Sequence, residues 1–385
     1  MDTSSPKAAH DADVVIVGAG PAGLSLACAL ADIGLRSIVL EQQDAGAIEQ
    51  PAEDGREIAL THRARGVMET LGLWQHLAAD DVSPLREARV QDGGRPGLLH
   101  FAAAAGVDEP LGWLVPNHRI RAAAIAAARM RDGIRIEYGA RVTALELGER
   151  QAAVALHDGR RFGGALVVAA DNRFSGTRRL AGIGASLYDF ARSAIVARVS
   201  HDGDNQATAW ECFHYGNTLA LLPITPQQSS AVLTVPSQRV EEYLALSDER
   251  FCERVGAQAP ETFGHLRTVG KRHHYPLVAV FAHDFAARRF ALIGDAAVGM
   301  HPVTAHGWNF GLYGVEVLAR ELKAACAAGC DAGDPGALRA YAREHRRTTL
   351  PIWLGTNAIV SLFTDDRMVP KLLRRGVLAV AEHLP

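Results

Sequence analysis

Two histidines and an aspartate lie in one glycine-rich stretch, GDAAVGMHPVTAHGWNFGL, at residues 294–312. The imidazoles of His301 and His306 can hold or move a proton near neutral pH, and the carboxylate of Asp295 can accept hydrogen bonds from hydroxyl groups. The apolar run FALI precedes the stretch, so we expect a buried strand to end close to Asp295 and a helix to begin near Trp308. The N-terminus of that helix would favour negative charge beyond the turn.

A second pattern near the N-terminus predicts the element that must position a cofactor. The sequence DVVIVGAGPAGLSLACALADIGLRSIVLEQ is typical of a strand, a glycine turn, a helix and a second strand. Gly18 suits the tight turn, Gly20 lets the backbone approach a pyrophosphate, and Gly23 lets helix and strand pack closely. Glu41 ends the second strand, where its carboxylate can bind a ribose diol and repel a 2′-phosphate. The unit therefore favours FAD or NAD.

The two stretches together favour a flavin. Asp295 can bind a sugar-alcohol chain, and a reduced isoalloxazine carries negative charge that the amides near Gly307 and Asn309 would stabilise. An NAD dehydrogenase needs only the first unit.

With these residues the chain resembles the group A FAD-dependent aromatic monooxygenases, which have the para-hydroxybenzoate hydroxylase fold. The likeness covers nearly the whole chain and rests on GAGPAG with Glu41, on the stretch at 294–312, and on the middle motif LVVAADNRFSGTRR. Within that family, REIALTHRARGVMETLGLW, LGWLVPNHRIRAAA and HHYPLVAVFA are similar to ubiquinone-biosynthesis hydroxylases of the UbiH, UbiF and UbiM type. The wording HPVTAHG.NFGL is nearest to the UbiM type.

The resemblance assigns cofactor roles to the matching residues. Those implied to hold the ADP half of FAD are Gly18, Gly20, Ala22, Gly23, Glu41, Arg56 at the pyrophosphate, and Asn117. Those implied to hold the ribityl chain and border the ring are Asp295, Pro302, Gly307, Trp308 and Asn309. Asp171 and Arg178 belong to the middle motif, on the pyrophosphate side.

The resemblance also implies the reaction. NADH or NADPH would reduce FAD, O2 would form a flavin C4a-hydroperoxide, and the aromatic ring of a phenol or quinol would take one oxygen atom. We predict a ubiquinone precursor as substrate, with a soluble phenolic metabolite as the alternative. A flavin-dependent reductase or a flavin-binding protein without turnover remains open on the same fold. Pro302, His301 and His306 are the catalytic candidates; His306 is either a base or hydrogen-bond donor to the substrate or a turn residue.

Three residues depart from the family pattern. Val298 stands where a histidine is common, Asn172 replaces a glycine, and His306 replaces a frequent glutamine. Asn172 tolerates a left-handed turn conformation better than most residues do.

Composition excludes several other classes. A net charge of −3 gives no field that would attract nucleic acid. The five cysteines are scattered and favour free thiols in a reducing cytoplasm, without a metal site. His273 and His274 are adjacent on a predicted strand and would point to opposite faces, so they cannot chelate one ion together.

We therefore predict an α/β (α+β) fold: a Rossmann-like FAD-binding domain, an antiparallel substrate-domain sheet, and C-terminal helices. The predicted segments are 1–80, 116–184 and 281–330 for the FAD-binding parts, 81–115 for an insertion, 185–280 for the sheet, and 331–385 for the helices. Candidate substrate-lining residues in the sheet, each with core packing as the alternative, are Trp210, Phe213, Leu221 and Pro223.

The segment MVPKLLRRGVLAVAEHLP, at 368–385, could form a basic amphipathic helix. It could touch a membrane surface or pack as an ordinary terminal helix. A cytoplasmic enzyme that meets the inner membrane peripherally, within a ubiquinone-biosynthesis protein complex, is one expectation.

Overall fold

The computed structural model describes residues 11–92, 95–102, 109–214, 216–302 and 306–364. The strands of these ranges, in chain order, are β1 (Val14–Val17), β2 (Ser37–Leu40), β3 (Glu57–Leu60), β4 (Ser83–Leu85), β5 (Glu87–Asp92), β6 (Arg95–Ala102), β7 (Gly112–Pro116), β8 (Ile134–Glu137), β9 (Val142–Leu147), β10 (Ala152–Leu156), β11 (Arg161–Gly164), β12 (Leu166–Ala169), β13 (Ala185–His201), β14 (Thr208–His214), β15 (Asn217–Thr225), β16 (Gln228–Pro236), β17 (Leu266–Ala282), β18 (Ala286–Ala287), β19 (Phe290–Leu292) and β20 (Val298–Gly299). The α-helices are α1 (Pro21–Ala31), α2 (Ala45–Glu49), α3 (His62–Thr70), α4 (Asn117–Arg129), α5 (Gly176–Leu180), α6 (Val240–Leu244), α7 (Asp248–Gly256), α8 (His306–Ala327) and α9 (Pro335–Thr364).

A sheet in the order β18-β19-β12-β1-β2-β8 forms the base of the FAD-binding part. We call it the parallel sheet, because each pair except the antiparallel β18–β19 pair is parallel. Strand β1 is the apolar tetrapeptide VVIV, and each of its residues is buried because neighbouring strands and helices cover it. Its partners β12 and β2 run parallel to it, as the predicted strand–helix–strand unit requires. Helices α1, α8 and α9 pack around this sheet.

A second, larger sheet has the order β20-β17-β13-β16-β15-β14-β5-β6 and confirms the predicted antiparallel sheet. Its pairs are antiparallel except β14 with β5, which run parallel. Strands β5 and β6 come from the predicted insertion, so that segment extends the large sheet. Two small sheets, β11-β10-β9 and β3-β7-β4, complete the arrangement.

Two separate apolar cores stabilise these layers. The larger surrounds the parallel sheet and the long helices. The smaller, which we call the outer core, lies between one face of the large sheet and helices α6 and α7; it includes Ile195, Leu219, Leu221, Leu233, Phe251 and Val255. We call the opposite face of the large sheet, which carries Val196, His273 and Tyr275, the inner face.

The C-terminal part confirms the predicted helices separated by a loop, since α8 ends at Ala327 and α9 begins at Pro335. Each of the five cysteines is free. Within the described ranges, no helix is both long and apolar enough to cross a bilayer. The amphipathic segment expected at 368–385 lies outside the described residues.

Candidate cofactor and substrate site

Four loops meet at the carboxyl edge of the parallel sheet. Strand β1 leads into Gly18, β2 into Glu41, β12 into Asp171, and β19 into the single turn that carries Asp295. These strands are neighbours and run in the same direction, so their carboxyl ends lie along one edge. Open α/β sheets bind their ligands at this edge. We call this edge the rim.

The three glycines of the first turn differ in what surrounds them. Gly18 has a φ of 112°, and a Cβ there would lie 2.6 Å from the carbonyl oxygen of Ala170. A Cβ on Gly23 would overlap the carbonyl oxygen of Gly18, because α1 packs directly on the turn. At Gly20, by contrast, a Cβ would meet nothing within 4 Å. The turn is therefore tight on its protein side and open at Gly20, beside the N-terminus of α1.

Ala22, in the first turn of α1, joins the two glycine-rich stretches. Gly294 has a φ of 57°, and a Cβ added to it would lie 3.0 Å from the Cβ of Ala22. The close approach places the start of the 294–312 stretch directly beside the first turn.

Glu41 is fixed at the rim by backbone amides. Its side chain is buried, and its two carboxylate oxygens accept hydrogen bonds from the amides of Ala19 (2.8 Å) and Gln43 (2.9 Å). A carboxylate has about four acceptor positions, so a ribose diol can still bind. This geometry fits the predicted role.

Arg56 and Asn117 meet at Asp54, where the FAD-binding part touches the large sheet. The guanidinium of Arg56 pairs with Asp54 at 2.6 Å, and Nδ2 of Asn117 donates to the same carboxylate at 2.7 Å. Burial raises the pKa of Asp54, but Arg56 and Asn117 outweigh that effect and hold the pKa below its usual value. Arg56 also lies over the ring of Tyr275, whose hydroxyl donates to the carbonyl of Asp54. The predicted contact of Arg56 with a pyrophosphate stays a prediction.

The sequence predicts that a strand ends close to Asp295. In the structure β19 ends at Leu292, and Asp295 lies in the single 3-10 turn that follows. Its carboxylate pairs with Arg173 at 2.9 Å, and Arg173 also donates to the carbonyl of Val278. Arg178, of the middle motif, is buried and donates to the carbonyls of Arg173 and Ala296. The middle motif therefore supports the Asp295 turn.

Helix α8 begins at His306, two residues before the predicted start at Trp308. A Cβ on Gly307 would meet no described atom within 4 Å. The side-chain oxygen of Asn309 accepts from the amide of Thr61, and its nitrogen donates to the carbonyl of Ala59. The side chain of Asn309 thus anchors α8 to β3.

The three catalytic candidates differ in their surroundings. His301 is buried against the edge of Phe190, and burial, with the charges of Arg173 and Arg192, lowers its pKa to about 4. It is therefore neutral at pH 7 and a weak base. His306 is partly buried beside the ring of Phe310, and Pro302 is exposed. No proton-transfer role is assigned to these residues by the geometry.

Two departures from the family pattern have local explanations. Val298 is 1% exposed and pairs with Phe281 in the large sheet, so an apolar residue suits the position. Asn172 does not use the left-handed conformation that it tolerates, because its φ is not positive. Instead its side-chain oxygen accepts from the amide of Phe174 at 2.8 Å and closes the turn.

The inner face of the large sheet lies against the FAD-binding part. Gly55 approaches it so closely that a Cβ there would lie 2.9 Å from the ring of His273. His274, the next residue, is exposed, in agreement with the predicted opposite orientations of the pair.

The substrate-lining expectation needs a correction. Leu221 belongs to the outer core, and Trp210 packs against it, so neither faces the FAD-binding part. Pro223 shares the face of Leu221 by strand alternation. Of the four candidates only Phe213 lies on the inner face. Sequence reasoning missed Glu211, which is on that face too; a single charged residue within the strand AWECF was the available signal.

The arrangement at the rim fits FAD. Open space adjoins Gly20 and Gly307, each at a helix N-terminus. Two buried polar atoms there, Oδ1 of Asp171 and Nε1 of Trp308, have no hydrogen-bond partner among the described residues. Buried polar atoms of this kind normally bind a partner. A dinucleotide along the rim would present phosphates, hydroxyls and ring heteroatoms to these groups.

Comparisons with known proteins agree with this geometry. The family described as FAD binding domain matches residues 11–350. The ubiquinone hydroxylase UbiM of Neisseria meningitidis is 40% identical over 97% of this chain and 82% of its own length. The ubiquinone hydroxylase UbiL of Rhodospirillum rubrum is 36% identical over 97% of this chain and 86% of its own.

A solved structure shows the same fold. The p-nitrophenol 4-monooxygenase PnpA of Pseudomonas putida has a TM-score of 0.77 at 18% identity, covering 96% of this chain and 93% of that one. The chain therefore belongs to the family of FAD-dependent aromatic monooxygenases.

Proposed function

We propose that this protein hydroxylates the aromatic ring of a ubiquinone precursor, with FAD, O2, and NADH or NADPH as electron donor. The likeness to UbiM and UbiL along nearly the whole chain carries the proposal. The FAD site alone does not identify the substrate, because the same fold serves monooxygenases that act on quite different aromatic rings.

The residues at the rim divide the binding of FAD between them. Gly20 and the N-terminus of α1 bind the pyrophosphate, Glu41 binds the ribose, and Asp295 binds the ribityl chain. The backbone at Gly307 and Asn309 would hold the ring, and the helix N-terminus would favour the negative charge of the reduced state. Bound FAD supplies the activation of O2 and an electrophilic oxygen atom.

The large sheet positions the substrate. Its inner face packs on the FAD-binding part at Gly55 and Tyr275. A substrate held between the two would be shielded from water. His306, at the start of α8, donates or accepts a hydrogen bond at the substrate hydroxyl. Neutral His301 forms part of the wall.

A prenylated substrate resides in a bilayer, so we also propose that the enzyme is cytoplasmic and meets the inner membrane surface peripherally, together with other ubiquinone-biosynthesis proteins. Co-sedimentation with anionic vesicles, with and without residues 365–385, tests the membrane contact. Equal sedimentation of both forms would contradict a role for that segment.

Substrate class is tested by product analysis. Purified, FAD-loaded protein receives NADH or NADPH, O2, and either a short-chain demethoxyubiquinol or a soluble phenol such as 4-nitrophenol. We expect the quinol alone to give a product heavier by one oxygen atom and to stimulate NAD(P)H oxidation. Hydroxylation of the soluble phenol alone would favour the alternative substrate class, and product formation without O2 would indicate a reductase.

A further inference from the structure

A carboxylate lies in the middle of the inner face. Glu211 is on β14, opposite Ala220 of β15 and Val90 of β5. The register continues this row across the sheet through Val232, Val196 and His273. Glu211 is thus the only acidic residue in a row whose other members between Val90 and Val196 are apolar.

The register also shows which way Glu211 faces. His273, at the end of the same row, packs against Gly55 of the FAD-binding part, and Val196 lies 3.5 Å from a Cβ built on Gly55. The neighbours of Glu211 along β14 are Trp210 and Cys212, which belong to or pack against the outer core. Because alternate residues of a strand face opposite sides, Glu211 faces the FAD-binding part.

The surroundings of Glu211 are unusual for a carboxylate. Within the described residues it has no hydrogen bond and no ion pair, whereas buried carboxylates normally have both. Desolvation by the surrounding protein raises its pKa to about 7. Glu211 is nevertheless partly exposed.

The next row of the sheet leads from Glu211 toward the segment that carries His301. It runs through Phe213, Thr218, Thr234 and Ala194. Just beyond it, Arg192 donates to the carbonyl of Gly216 in the β14–β15 turn, and the charge of Arg192 reaches His301. Glu211 therefore lies one row further into the sheet than the residues adjoining the flavin segment.

We propose that Glu211 binds the ring hydroxyl of the aromatic substrate and accepts its proton during hydroxylation. The inference rests on the proposed function. The phenolic O–H bond breaks and a carboxyl O–H bond forms, while the electron pair stays on the phenolic oxygen and makes the ring more nucleophilic. After the ring takes its oxygen atom, the ring C–H proton leaves to water and Glu211 returns its proton to the phenolic oxygen.

The other charged groups near the inner face are engaged elsewhere. Arg198 pairs with Glu57 and Glu53, and His273 lies at the far end of the row. Arg192 and His301 adjoin the turn, and Cys212, on the opposite face, has its pKa raised to about 12 by burial and by Glu211. Among the described residues, no charged group contributes to the pKa of Glu211. A titration near pH 7 is thus assigned to Glu211 itself.

The first test measures the titration of Glu211 directly. Infrared difference spectra of the FAD-loaded protein are recorded between about pH 5 and pH 9, where ordinary carboxyl groups are already ionised over most of the range. We expect a protonated-carboxyl C=O band that disappears through about pH 7 and that is absent in Glu211→Gln. No such band, or a band that persists in Glu211→Gln, would overturn the assignment.

The second test measures how much hydroxylated product forms for each NAD(P)H oxidised. Glu211→Gln keeps the shape of the side chain and should fold and bind FAD normally; Glu211→Asp retains the carboxylate, and Glu253→Gln, an exposed residue of α7, is the control. For Glu211→Gln we expect about a tenfold or larger fall in hydroxylated product per NAD(P)H oxidised, more hydrogen peroxide, and loss of the rise in product formation through about pH 7. Glu211→Asp should recover part of the yield.

The outcomes separate this inference from the proposed function. If wild-type protein hydroxylates no quinol, the proposed function fails, while the infrared titration still reports on Glu211. If wild-type protein hydroxylates the quinol and Glu211→Gln matches its yield and pH profile, the role of Glu211 is wrong although the function stands.

Discussion

The inner face of the large sheet meets the FAD-binding part at Gly55 and Tyr275, but the chain assembles this face and the rim of the parallel sheet differently. Each part of the rim is local: a strand, a turn of a few residues, and a helix N-terminus, as in β1, Gly18–Gly20 and α1. The inner face joins residues far apart in the chain, such as Val90, Glu211 and His273. Backbone shape dominates the rim, whereas side-chain chemistry dominates the inner face.

This difference predicts which property a substitution changes in each region. A change at the rim alters the backbone path and hence cofactor binding. A change on the large sheet alters either the outer core or the substrate space, because alternate residues of a strand face opposite sides of the sheet. Each expectation below tests one side of this contrast.

The largest effect is expected for Gly18→Ala. A Cβ would lie 2.6 Å from a backbone oxygen that cannot move away, at a φ of 112°. We expect a loss of about 4 kcal/mol or more in unfolding free energy and little FAD in the purified protein, measured by denaturant unfolding and by flavin absorbance. Gly34→Ala, with a φ of 84° but nothing within 4 Å, is the control and should cost about 1 kcal/mol. Equal losses would mean that the contact with Ala170 is unimportant.

Leu221→Ala tests the independence of the outer core. Leu221 is fully buried there, so its truncation should cost about 2–5 kcal/mol in unfolding free energy. The dissociation constant for FAD should not change, because the outer core lies on the far side of the sheet. Leu187→Ala, at a side chain that is 54% exposed, should cost less than about 0.5 kcal/mol. A parallel loss of FAD affinity in Leu221→Ala would contradict the separation of the two faces.

Gly20→Ala should separate cofactor binding from stability. A Cβ here meets no protein atom within 4 Å and projects into the space for the pyrophosphate. We expect FAD affinity to fall about 30-fold, or about 2 kcal/mol, with thermal stability of the cofactor-free protein unchanged. Gly66→Ala in α3, where a Cβ also meets nothing, should leave FAD affinity unchanged. An unaltered dissociation constant in Gly20→Ala would place the phosphates elsewhere.

The last expectation concerns pH. The pKa of His301 falls from an ordinary 6.5 to about 4 on folding, so the unfolded chain takes up the proton first as pH decreases. Stability is therefore lost as pH falls from about 6.5 to about 4, with a slope of at most about 1.4 kcal/mol per pH unit. His301→Gln should remove that slope, whereas the slope from buried His345, whose pKa is also about 4, should persist. Identical pH profiles of unfolding free energy would show that His301 is not held neutral.

The same contrast explains what could be predicted from sequence. The roles of Gly18, Gly20 and Gly23 follow from short-range sterics within one strand–turn–helix unit, so the spacing of glycines predicts them. The loop between α8 and α9 follows from local glycine and proline content.

The rest depends on long-range pairing. Strand alternation predicts that Trp210 and Leu221 share a face with each other, but not which face meets the FAD-binding part, because helices α6 and α7 decide that. For the same reason, the sequence does not predict that Glu211 lies on the inner face. The turn at Asn172 differs since its side chain bonds the amide of Phe174, which removes the need for a positive φ.

The most direct measurement of the central claim is a single turnover with isotopically labelled oxygen. The FAD-loaded protein is reduced by NADH or NADPH without air and then mixed with oxygen-18 gas and a short-chain demethoxyubiquinol. We predict a quinol product that carries one oxygen-18 atom on its ring, formed in proportion to the enzyme. Hydrogen peroxide as the sole oxygen-18 product, with the quinol unchanged, would contradict the assignment of this protein as a ubiquinone-precursor hydroxylase.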